Sequence, residues 1–66
     1  MARFRLFLIG AHSGLEVELP APNLGVLERD LARQRYLRGR LAHADDTGLY
    51  PEFLVPAHRV QMICEV

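Results

Sequence analysis

The stretch from Asn23 to Gly39 is the one long helical pattern in this sequence, and it restricts the chain to folds in which short strands surround a single helix. Asn23 is a good N-cap, because its side-chain oxygen accepts from an early orphan amide, and Pro22 before it discourages an earlier start. Glu28 and Asp30 stand early and Arg33, Arg35 and Arg38 late, the order that complements the helix dipole. Gly39 suits the left-handed position just beyond a helix end. The pattern therefore predicts a helix from Leu24 to Arg38, roughly 22 Å long. Leu24, Val26, Leu27, Leu31 and Leu37 fall on its apolar side, which must be covered. Arg29, Arg33 and Tyr36 share the opposite side at i, i+4 and i+7.

The flanking segments alternate with the period of strands. Phe4, Leu6 and Leu8 oppose Arg3, Arg5, Phe7 and Ile9; after turn chemistry at Gly10 to Gly14, Leu15, Val17 and Leu19 oppose Glu16 and Glu18. These two runs predict a hairpin, with Leu8 opposite Val17 and Leu6 opposite Leu19 so that both apolar sets share a face. Pro20-Ala21-Pro22 ends the pairing and leads into the helix. Beyond Gly39, Arg40 to Ala44 is expected to resume as a strand. Asp45-Asp46-Thr47-Gly48 is a turn cluster, since Asp bonds its own backbone and Gly accepts positive φ. Pro51 removes a ladder donor, so the strand through Glu52 to Val55 should start late or lie at an edge. Pro56-Ala57-His58 turns the chain, and Arg59 to Val66 alternates cleanly, with Val60, Met62, Cys64 and Val66 on one side and Gln61, Ile63 and Glu65 on the other. The expected fold is α+β, a single domain over residues 1–66 of order ββαβββ, with a mostly antiparallel sheet and one helix packed on one face.

Sixty-six residues bury only about 60% of the surface of their unfolded chain, so oligomerisation is a common route to further stability. One helix covers one sheet face. On these registers the other face carries Phe7, Ile9, Ile63 and Leu54, an apolar strip that predicts a self-associating protein, a homodimer first, acting by binding in an accessory or regulatory role. The alternative is a nucleic-acid-binding module with Arg29, Arg33, Tyr36 and Arg40 as contacts, since Arg grips phosphate in a fork and a Tyr ring accepts a base face. Eight basic and eight acidic residues cancel, so no global field draws a polyanion, and nucleic acid is the less favoured partner.

Catalysis is not expected, and the sequence assigns no catalytic, cofactor or metal residues. His12, His43 and His58 stand at no ligand spacing, and there is neither a phosphate loop nor a Gly-x-Gly-x-x-Gly pattern. His43 with Asp45 and Asp46 is the one grouping suited to acid/base chemistry, and such a run is more often a hairpin turn. Cys64 shares its predicted strand face with Val60 and Met62, which points to a buried, inert thiol. A single cysteine forms no internal disulfide, which suits a reducing cytoplasm. Leu6 to Ile9 is too short for the apolar segment of a signal peptide, and no apolar run approaches the roughly 20 residues of a membrane span.

Arg38-Gly39-Arg40-Leu41 through Asp46, then Leu54-Val55-Pro56 and a terminal strand, loosely resembles the later strands of Sm-type ring proteins over about half the chain. In that family the helix comes first and five strands follow it, whereas here two strands precede the helix and three follow. The resemblance therefore assigns neither a family nor a site.

Overall fold

A computed structural model describes residues 2–66. The elements run β1 (Ala2–Leu8), β2 (Leu15–Leu19), α1 (Leu24–Arg33), β3 (Tyr36–Leu41), β4 (Glu52–Pro56), a single 3-10 turn (Ala57–Arg59) and β5 (Val60–Glu65). The five strands form one antiparallel sheet in the order β4-β3-β2-β1-β5, so the fold is the expected α+β arrangement of order ββαβββ. β4 and β5 are thus the two edges, yet only the 3-10 turn joins them. Opposite edges of a flat five-stranded sheet lie about 19 Å apart. One 3-10 turn at about 2 Å per residue spans less than half of that. The sheet must curl, bringing its edges together at the Pro56–Val60 end.

The concave side of this curl holds the core. Phe4, Leu6, Val17, Leu19 and Leu37 are buried there, and Phe53, Val55, Val60 and Ile63 pack partly against them. α1 covers this side with Leu27, which is buried, and with Val26 and Leu31, which are partly so. Asn23 caps it as expected, its Oδ1 accepting from the Val26 amide at 2.9 Å. The Leu24 amide donates to the Glu65 carboxylate, which ties the positive end of the helix to β5.

Four expectations need correction. The helix ends at Arg33 and Gly39 does not cap it: Gln34 is already extended, at φ −107° and ψ 141°, and its amide closes the last turn onto the Asp30 carbonyl. Tyr36 to Leu41 obeys the period of a strand instead. Leu37 and Gly39 face inward while Tyr36, Arg38 and Arg40 face outward, and burying Leu37 on the sheet outweighs helical continuity. The strand expected from Arg40 to Ala44 is accordingly β3, which ends at Leu41.

The β1–β2 hairpin keeps the expected faces but not the register. Phe4 lies opposite Val17 and Leu6 opposite Leu15. This offset sets Arg3 across from Glu18 and Arg5 across from Glu16, so like faces and opposite charges are satisfied together. The end of β1 stays with the other edge, where the Ile9 amide donates to the Arg59 carbonyl at 2.8 Å.

β5 also departs from strict alternation. Ile63 pairs with Leu6 and Met62 with Phe7, but the next partner, Leu8, faces Val60, so Gln61 is an extra residue in a β-bulge. The bulge resets the parity of the strand. Val60 and Ile63 both face the core, while Met62 and Cys64 face outward with Phe7 and Arg5. Ile63 therefore does not belong to the open face, and Cys64 is half-buried on that face rather than enclosed in the core.

Candidate functional site: the outer face of the sheet

The convex face not covered by α1 is laid out by strand parity. β1 contributes Arg3, Arg5 and Phe7; β2 contributes Glu16 and Glu18; β3 contributes Tyr36, Arg38 and Arg40; β4 contributes Glu52 and Leu54; and β5 contributes Met62 and Cys64. Its centre is a lattice of alternating charge. Glu18 takes the Arg40 Nε–H at 2.6 Å on one side and lies 3.9 Å from the Arg3 guanidinium on the other. Glu16 lies 3.2 Å from the Arg5 guanidinium and 3.2 Å from His43 Nε2. Arg38 is 3.4 Å from Glu52, and the Arg40 guanidinium stands 5.8 Å from the centre of the Tyr50 ring.

These contacts set the electrostatics. The bond from Arg5 holds the Glu16 carboxyl below the usual glutamate range, against some desolvation and with help from His43. The bond from Arg40 does the same for Glu18, supported by the charge of Arg3. Four guanidinium groups here share three carboxylates, each lying within 4 Å of one, so most of the positive charge of this face is compensated within the chain.

Asp45 serves its own turn. Its Oδ1 accepts from the Thr47 hydroxyl at 2.6 Å, the Thr47 amide at 2.8 Å and the Leu49 amide at 3.0 Å, and these bonds depress its carboxyl pKa, the hydroxyl most. Gly48 takes φ +82° to close the turn. The His43/Asp45/Asp46 grouping is thereby resolved into a turn brace and an imidazole paired with Glu16. An open groove of about 690 Å³ lies beside it, with Phe7, Leu15 and Leu41 among its apolar walls and Arg5, Glu16 and His43 among its polar ones. Among the described residues no three His, Cys, Asp or Glu side chains are grouped to hold a metal ion, and no helix is long and apolar enough to cross a membrane.

The residues singled out from sequence separate into five places. Phe7 faces outward opposite Met62, with Ile9 exposed just past the strand end. Leu54 lies at the other edge of the face, 64% exposed, and Ile63 is in the core layer. Arg29 and Arg33 are exposed on α1, whereas Tyr36 and Arg40 are on β3, so the four never form one stripe. Arg38, Tyr50 and Met62 join the outer surface unannounced; for Arg38 the signal was present in the period-two run Tyr36-x-Arg38-x-Arg40.

β4 is distinctive as an edge. The Leu41 amide donates to the Pro51 carbonyl and the Ala57 amide to the Arg35 carbonyl, and hydrogen-bonded pairs recur at every second residue of an antiparallel ladder. Phe53 and Val55 therefore turn their main chain towards β3. Glu52 and Leu54 turn theirs out of the sheet. Comparison with protein-family models, with curated proteins and with solved structures finds no match to this chain.

Proposed function

We propose that the chain acts by binding, as a homodimer with an accessory or regulatory role, and that it associates through the β4 side of its sheet. The observation that carries this is Leu54, 64% exposed at the middle of an edge strand whose outward amides have no partner among the described residues. Proteins ordinarily blunt such edges with charge, a bulge or a covering element. β5 has two of these, its bulge at Gln61 and α1 alongside; β4 has no bulge or covering element, only the Glu52 charge at its start and the prolines at its ends. Tyr36, 53% exposed on the neighbouring strand, widens the apolar margin. The paired arginines of the outer face argue against a polyanion as the principal partner.

Light scattering over a range of protein concentrations tests the reading. Wild-type protein is expected at twice the chain mass of 7.5 kDa, and Leu54→Lys at the single mass with its circular dichroism unchanged. The substitution leaves the core alone, because the side chain and main chain of Leu54 both face away from it. A wild-type monomer at every concentration would remove the proposal.

A further inference from the structure

Resting on that reading, we infer that the dimer forms by antiparallel pairing of β4 with β4 of a second copy, about a two-fold axis at Leu54, which makes one continuous ten-stranded sheet. The occupant follows from parity. On β4 the residues that turn their main chain outward, Glu52 and Leu54, carry their side chains on the outer face. On β5 the reverse holds. The Val66 amide donates to the Arg3 carbonyl, so Cys64 and Met62 face β1 with their main chain, and the outward groups belong to Ile63 and Glu65, whose side chains lie on the core side. Joining β4 antiparallel to a neighbour's β5 would set the outer face of one copy level with the core face of the next, and joining them in parallel, which keeps the faces, is a head-to-tail contact that closes no dimer. Joining β4 to β4 about an axis normal to the sheet keeps like faces together, the self-complementary geometry of a two-fold interface.

The register is equally constrained. Proline has no amide to donate, so centring the axis at Pro56 would leave the middle of the ladder empty. Centring it at Glu52 would oppose two carboxylates. Two registers each allow four main-chain bonds. One places Glu52 opposite the partner's Leu54 and brings the two Glu52 side chains to diagonal neighbours about 7–8 Å apart. The other, centred on Leu54, places leucine against leucine on the outer face and Phe53 against the partner's Val55 on the core side. Its ladder consists of the two reciprocal Leu54 bonds and two from Glu52 amides to Pro56 carbonyls. The missing Pro56 donor then falls at the ladder's end, where water satisfies the carbonyl left over. Like charges are separated by about four residues, roughly 13 Å. The geometry selects the Leu54-centred register. α1 packs alongside β5, and the surface at Leu54 is lined by Arg38, Glu52 and Phe53 rather than by helix residues.

Cysteine cross-linking in a Cys64→Ser background tests this. Directly opposed residues in a hydrogen-bonded antiparallel pair have Cα atoms about 5.5 Å apart, within disulfide reach. Leu54→Cys is expected to give a covalent dimer on mild oxidation at protein concentrations where the uncrosslinked protein is dimeric, and Glu52→Cys only monomer. If light scattering shows a dimer but Leu54→Cys does not cross-link, or Glu52→Cys does, the β4 pairing is wrong while self-association stands. If the unmodified protein is monomeric throughout, both fail.

Discussion

A side chain at position 39 would have no room: its first carbon would lie 2.5 Å from the Glu18 carbonyl oxygen and 2.7 Å from Leu19 Cδ2. β3 approaches β2 this closely because the residue facing Leu19 has no side chain, and Phe53 fills the remaining space from β4. Gly39→Ala is expected to destabilise the protein by about 1–3 kcal/mol, as overpacking does. The urea midpoint measures it; an unchanged midpoint would mean that β2 and β3 are not packed as described. From sequence this glycine suggests a helix end, and the local chemistry does fit one. What decides otherwise is Leu37 two residues earlier, which gains more as a buried strand residue than as the last turn of a helix. That competition is tertiary and leaves only the Tyr36-x-Arg38-x-Arg40 alternation as its trace.

At the scale of elements, β1, β2, β4, β5 and the helix start were legible because caps, prolines and period-two alternation are local, whereas β3 was read in large part as helix. Asn23 caps α1, Pro51 precedes a strand that begins at Glu52 and lies at an edge, and Asp45 to Gly48 forms its turn. The bulge was not legible. Alternation along β5 reads equally well with Ile63 on either face, and only the pairing with Leu6 and Leu8 puts both Val60 and Ile63 inside. Register in the β1–β2 hairpin depended on the charged face as well as the apolar one, since Arg3, Arg5, Glu16 and Glu18 choose between two offsets that bury the same side chains. That lattice makes a pH prediction. Glu16 and Glu18 have folded pKa values below their ordinary value of 4.5, so they bind protons more readily in the unfolded chain. Their contribution is present above about pH 4.5 and is lost as the pH falls through the lower folded values. Thermal unfolding midpoints should drop over this range, and Glu16→Gln with Glu18→Gln should flatten the drop. Equal slopes in the variant and wild type would show that the lattice does not couple folding to protons.

For the whole molecule, the fold class follows from the order of elements, but the spatial order of strands does not, and the candidate interface depends on that order. Placing β4 and β5 at opposite edges, joined by one 3-10 turn, curls the sheet and leaves two edges of opposite parity. The apolar strip expected from Phe7, Ile9, Leu54 and Ile63 becomes a lattice of paired charges with Phe7 and Met62 at one side and Leu54 at the other. Self-association is then a property of an edge rather than of a face. Amide hydrogen exchange of β4, followed by NMR at low and high protein concentration, tests this most directly. The amides of Phe53 and Val55, which face β3, should be protected at both concentrations; those of Glu52 and Leu54 should exchange freely when dilute and become protected when concentrated. Fast exchange of Leu54 at every concentration, in a protein that nevertheless sediments as a dimer, would contradict the β4 edge as the place where two copies meet.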